Sequence, residues 1–118
     1  MGILHIPSLG LALPINRDWN YDSLRATPCR YSGTLQDDTL VIAAHNYRQH
    51  FGNLHTLHTG DDVSFTDVYG KNIDYMITGI KTLNPVLAEQ LLDGRYNLTL
   101  FTCDYSGSAR VVVGCMRK

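Results

Sequence analysis

Asn97-Leu98-Thr99-Leu100-Phe101-Thr102-Cys103, then Asp104-Tyr105-Ser106-Gly107-Ser108-Ala109, then Arg110-Val111-Val112-Val113-Gly114-Cys115-Met116, is the stretch on which the fold of this chain turns. Its outer parts are rich in β-branched and aromatic residues and its middle is turn-forming, so it reads as two strands joined by a short loop. Val111 to Val113 is apolar on both parities of a strand, as is Leu40 to Ala44. Both runs are expected to be central strands covered on both faces. Outward from this stretch, similar runs recur at Ile3 to Ile6, Leu11 to Ile15, Thr39 to Ala44, Val63 to Val68 and Ile73 to Ile80. Turn-prone pairs such as Leu9-Gly10, Ser32-Gly33, Tyr69-Gly70 and Asp93-Gly94 bound them, the spacing of an all-β barrel or sandwich.

Two segments read as short surface helices between strands. Phe51, Leu54, Leu57 and His58 follow a helical stripe, and Pro85-Val86-Leu87-Ala88-Glu89-Gln90-Leu91-Leu92 opens on Pro and stops at Gly94. Residues 16–34 read as mostly irregular, with Trp19, Tyr21 and Leu24 tucked onto the barrel. The 118 residues are 44% hydrophobic and 18% charged, with no repeat or linker, which predicts one continuous domain over 1–118. A formal net charge of -1 disfavours nucleic acid or an anionic membrane as partner. No apolar stretch approaches the roughly 18 residues that span a bilayer. Cys29, Cys103 and Cys115 are odd in number and too few for a disulfide scaffold, so at least one thiol should be free.

The chemistry-bearing candidates sit at strand boundaries. Cys103 ends one run and faces a loop, and Arg110 opens the next run, where a hairpin can bring it back beside the thiol. A permanent cation there favours thiolate and can hold an oxyanion. His45 ends the run Thr39 to Ala44 in the same manner, so that two strand ends can deliver a base and a nucleophile to one rim. Each residue alone also fits a plainer role: a buried strand thiol, a capping histidine, a solvated strand-end charge. His50, His55 and His58 offer a metal alternative, but no Cys or carboxylate shares their helix and Leu54 and Leu57 are interleaved, so no metal site is expected.

Three blocks of the chain resemble the sortases, the cysteine transpeptidases of Gram-positive cell surfaces. Ile3-Leu4-His5-Ile6-Pro7-Ser8-Leu9 with Leu13-Pro14-Ile15 is similar to the family's first strands. Val41-Ile42-Ala43-Ala44-His45-Asn46, with Phe51-Gly52-Asn53-Leu54, Leu57 and Gly60-Asp61-Asp62-Val63, resembles its catalytic histidine block. Thr99-Leu100-Phe101-Thr102-Cys103 resembles the TLxTC signature, with Arg110 at the place of the family's arginine. The match runs over nearly the whole chain in order. Ala44 replaces the glycine that many members carry before the histidine, and residues 104–109 make a short loop for the family. Asn46-Tyr47 and Phe51-Gly52 lie closest to class B, although the segment 81–97 lacks that class's long insertion. No Asp-Pro-aromatic lid precedes the barrel, which argues against a pilin-polymerising member.

The resemblance implies a closed eight-stranded sortase-type barrel with two short surface helices, and His45, Cys103 and Arg110 as catalytic residues. Asn46, Thr102 and Tyr105 are the expected substrate-binding residues. It implies a sorting-signal peptide of the Leu-Pro-x-Thr-Gly type as substrate, an amine acceptor such as a cell-wall precursor as second partner, and a monomer. No cofactor is expected: Asp37 and Asp38 alone cannot supply the six or more oxygens that calcium takes, and Glu89 is the only glutamate. Members normally carry an N-terminal membrane anchor that these residues lack, so the chain is expected to be a soluble catalytic fragment of a protein on the extracellular face of the membrane. The competing readings are a cysteine peptidase of another fold and a non-catalytic β-barrel binding module. The Gln-Ala-Cys signature of caspase-like enzymes is absent, and papain-like enzymes place Cys before His.

Overall fold

Eight strands form a single sheet in the order β2-β1-β5-β6-β8-β7-β4-β3. They are β1 (Gly2–Ile6), β2 (Leu11–Ile15), β3 (Cys29–Ser32), β4 (Leu40–Ala44), β5 (Asp62–Asp67), β6 (Asn72–Leu83), β7 (Leu98–Thr102) and β8 (Arg110–Arg117). This computed structural model describes residues 1–18, 20, 24, 27–44, 51, 53–90, 92, 95–102 and 110–118. Every neighbouring pair is antiparallel except β4 with β7. The sheet curls until its edges meet at one bridge between Asn16 and Cys29. There Asn16 N–H donates to Pro28 O at 2.9 Å and Arg30 N–H donates to Asn16 O at 2.8 Å. The barrel is therefore nearly closed, where full closure was expected.

Alternation decides what each face of the central strands meets. Leu40, Ile42 and Ala44 of β4, Leu98 and Leu100 of β7, and Val113 and Cys115 of β8 belong to the barrel interior with Leu4, Ile6, Phe65 and Tyr75. The opposite parity, Val41, Ala43, Phe101 and Val112, joins Leu24, Cys29 and Ala88 in a second cluster outside the barrel. Every residue of β4 is buried, the two-sided cover that its unbroken apolar run predicts, and every residue of β7 is buried too, Thr99 and Thr102 included.

One helix, α1 (Pro85–Gln90), lies over this outer cluster through the fully buried Ala88. Pro85 opens it, and the Asn84 side chain accepts from Leu87 N–H at 2.9 Å as an N-cap should. The other expected helix is a correction. Its residues form only a 3-10 turn, Leu54–Thr56, whose bonds run three residues back, Leu54 N to Phe51 O and Leu57 N to Leu54 O. A strict spacing of three, as in Phe51, Leu54 and Leu57, is the period of a 3-10 turn, and all three side chains are buried. His55 and His58 are exposed. Strand β3 is the second correction, because it lies in the stretch expected to be irregular. It is short, shifts register between Arg30 and Ser32, and ends at Ser32, just before Gly33. Gly33 has φ of 73°, and a Cβ there would lie 1.9 Å from Thr39 O.

On β6 and β8 the facing glycines Gly79 and Gly114 leave a bare patch that the Tyr96 ring covers. A Cβ on Gly114 would lie 2.4 Å from that ring. Gly114→Ala is therefore expected to cost about 1–3 kcal/mol, the usual range for overpacking. A urea midpoint unchanged from wild type would show that the ring swings aside freely.

Candidate active site

Three neighbouring strands, β4, β7 and β8, end or begin at the same rim. β4 and β7 run in parallel from Leu40↔Leu98 to Ala44↔Thr102, and β7 and β8 pair antiparallel from Leu98↔Cys115 to Phe101↔Val112. Beyond Phe101↔Val112 the Thr102 side chain carries the pairing on: its Oγ1 accepts from Val111 N–H at 3.0 Å. This bond needs a hydroxyl at the strand end, and Thr102 is buried to make it. Of the expected site residues, Thr102 and Arg110 are described, whereas His45, Asn46, Cys103 and Tyr105 lie outside the described residues.

Arg110 is the first residue of β8, half-buried, on the parity that faces the outer cluster. Its Nη1 donates to Thr102 O at 3.2 Å. Its guanidinium carbon lies 5.9 Å from the centre of the Phe101 ring, within cation-π range. The Phe101 ring meets Tyr31 of β3 edge to face, with centroids 5.1 Å apart and planes at 88°. The guanidinium is thus held from two sides at the end of the β7–β8 pair. Sequence reading placed Arg110 correctly at the strand start but gave Phe101 and Tyr31 no part. A hydrophobe inside an apolar strand carries no signal of what it faces.

The other two thiols are free and buried. Cys115 points into the barrel, and burial pushes its thiol up from 9.0 to about 12. Burial likewise raises Cys29, whose Sγ donates to Thr27 O at 3.5 Å. Tyr75, also interior, is pushed up to about 12, mainly by burial and then by Asp38. In all three the fold favours the protonated form. The stability they support is whole below the unfolded pKa values, near 9 for thiol and 10 for phenol, and is lost as pH rises through the folded values. Urea midpoints are therefore expected to hold up to about pH 9 and to fall steadily from there toward pH 12. A midpoint that does not fall over that interval would contradict the burial assigned to Cys115 and Tyr75.

A cavity of about 570 Å³ lies between the segment that follows β3 and the β5–β6 turn, lined by Arg17, Arg30, Leu35, Asp67 and Tyr69 among others. Neither Thr102 nor Arg110 borders it. Among the described residues no three His, Cys, Asp or Glu side chains come together as metal ligands would.

Residues 4–118 match the sortase domain family. No curated protein matches the chain by sequence. Among solved structures, the sortase C-1 of Actinomyces oris superposes with a TM-score of 0.84 at 22% identity, covering 99% of this chain and 73% of that one. A lid mutant of sortase A from Corynebacterium diphtheriae gives 0.82 at 24%, covering 100% and 69%. A pilus-related sortase C of Group B Streptococcus gives 0.80 at 25%, covering 100% of this chain and 66% of that one. Likeness at this identity carries the barrel and leaves the subclass aside.

Proposed function

The chain belongs to the sortase family, and on that premise we propose that it is a cysteine transpeptidase acting through Cys103, His45 and Arg110. The observation that supports this reading is the strand register. The β4–β7 register ends at Ala44↔Thr102, the residues that precede His45 and Cys103 in the sequence. The β7–β8 register ends at Phe101↔Val112, and Arg110 opens β8 at that same end of the pair. Three adjacent strands thus end or begin at one rim, with His45 and Cys103 next in sequence after two of them and Arg110 first on the third. A base, a nucleophile and a cation gathered at one rim would make a thiol-based acyl transfer site.

In this mechanism the Cys103 thiolate attacks a backbone carbonyl of a Leu-Pro-x-Thr-Gly type peptide. The electron pair of the carbonyl moves onto oxygen, where Arg110 stabilises it. As the tetrahedral intermediate collapses, His45 gives its proton to the departing amine and a thioester remains on Cys103. An amine acceptor of the cell wall, such as a cell-wall precursor, then attacks the thioester, returns a proton to His45, and restores the thiolate. Asn46, Thr102 and Tyr105 border the bound peptide, and the carbonyl of Thr102 also steadies Arg110. The reaction takes place on the extracellular face of the membrane, where the sorting signals of secreted proteins and the wall precursors meet.

Titration of the native chain with an aromatic disulfide reagent near pH 8 tests this cheaply. One thiol, Cys103, is expected to react within minutes, and Cys29 and Cys115 only on unfolding. Three slow thiols in a folded chain would instead indicate a non-catalytic barrel with Cys103 buried.

A further inference from the structure

We propose that Phe101, braced by Tyr31, is a positioning residue that fixes the Arg110 guanidinium for acyl transfer. The inference rests on the catalytic assignment of Arg110 above and concerns what aims it. A guanidinium on a flexible stem stabilises an oxyanion only if it is already in place when the charge develops. Two contacts hold it: Nη1 to Thr102 O at 3.2 Å and the Phe101 ring at 5.9 Å from the guanidinium carbon. The carbonyl alone leaves the planar group free to pivot about one hydrogen bond. The ring face adds a second point of attraction through its quadrupole. The ring is itself immobile, because it is buried among Val41, Ala43 and Val112 and met edge to face by Tyr31. Strand parity explains why this residue has the role: on β7, position 101 is the last described residue on the outer face, two before Cys103 in sequence and opposite Val112, two after Arg110.

The test is a double-mutant cycle on the full chain. Thioester formation is timed by intact mass with whichever Leu-Pro-x-Thr-Gly peptide acylates the wild-type chain fastest. Phe101→Leu keeps an apolar side chain and removes the ring face. It is expected to slow acylation about ten-fold in the wild-type background and not at all in the Arg110→Ala background, because the ring acts through the arginine. Equal slowing in both backgrounds would overturn the inference, since the ring would then serve the barrel and not Arg110. So would an undiminished rate in folded Phe101→Leu alongside a crippled Arg110→Ala. Full activity of Arg110→Ala would be a different failure, that of the catalytic assignment. Should Phe101→Leu not fold, the wild-type chain still decides: NMR of Arg110 is expected to show its δ-methylene and Nε protons shifted upfield by the ring. Unshifted protons would contradict the stack.

Discussion

Cys103→Ala is expected to eliminate acyl transfer, to below about 10⁻⁴ of the wild-type rate, while the chain keeps its fold. The size of the effect follows from the role: without the sulfur there is no thioester, and neighbouring groups cannot form one in its place. The mildness of the structural effect follows from position. In the sequence Cys103 comes after the last residue of β7, whose interior side chains are Leu98 and Leu100, so loss of one sulfur atom is expected to leave the packed core intact. Cys29→Ser and Cys115→Ser are the matched controls. Both thiols are buried, so these changes act on stability and not on chemistry. Peptide cleavage by folded Cys103→Ala would end the transpeptidase reading. Loss of acyl transfer in folded Cys29→Ser would point to a part for that thiol that the register does not give it.

Arg110→Lys is expected to lose about 10²-fold in acylation rate, although the charge is retained. The guanidinium is a planar fork with five donors, and one of them is already committed to Thr102 O. The rest of the fork remains to meet an oxyanion beside position 103. An ammonium is a compact, strongly hydrated point charge and gains less from the Phe101 face. It cannot keep the carbonyl bond and reach the reacting oxygen with the same geometry. The loss should fall on the acylation rate more than on peptide affinity, because the oxyanion exists only in the transition state. Near wild-type acylation by Arg110→Lys, with Arg110→Ala inactive, would mean that the residue acts only as a diffuse charge.

What could be read from the sequence, and what could not, has physical causes. β4 and β8 were legible because burial on both faces leaves an unbroken apolar run, Leu40 to Ala44 and Val111 to Val113. β6 was legible through Ile73, Tyr75 and Ile77, which alternate with exposed residues. β3 was not: Cys29-Arg30-Tyr31-Ser32 is a short edge strand whose polar residues belong to the seam, where Arg30 donates to the Arg17 and Gly33 carbonyls. The stripe at Phe51, Leu54 and Leu57 was read at the wrong period, because hydrophobes three apart suit a 3-10 turn as well as an α-helix. At the site, strand-boundary positions and the TLxTC pattern single out His45, Cys103 and Arg110, of which Arg110 alone lies among the described residues. That the strands preceding His45 and Cys103 are neighbours follows from the parallel pairing of β4 with β7, and periodicity along a chain carries no information about which strands pair. Phe101 was invisible for the same reason, since its partner Arg110 lies on another strand.

The most direct test of the central claim is to trap the acyl-enzyme. The wild-type chain is incubated with a panel of Leu-Pro-x-Thr-Gly peptides without an amine acceptor, quenched in acid, weighed intact, then digested to locate the adduct. The account predicts a mass gain equal to the peptide fragment on the amino side of the cleaved bond, carried on Cys103 and released by hydroxylamine as a thioester should be. An adduct mapped to Cys29 or Cys115, or peptide cleaved by a folded chain whose Cys103 thiol is blocked, would contradict it.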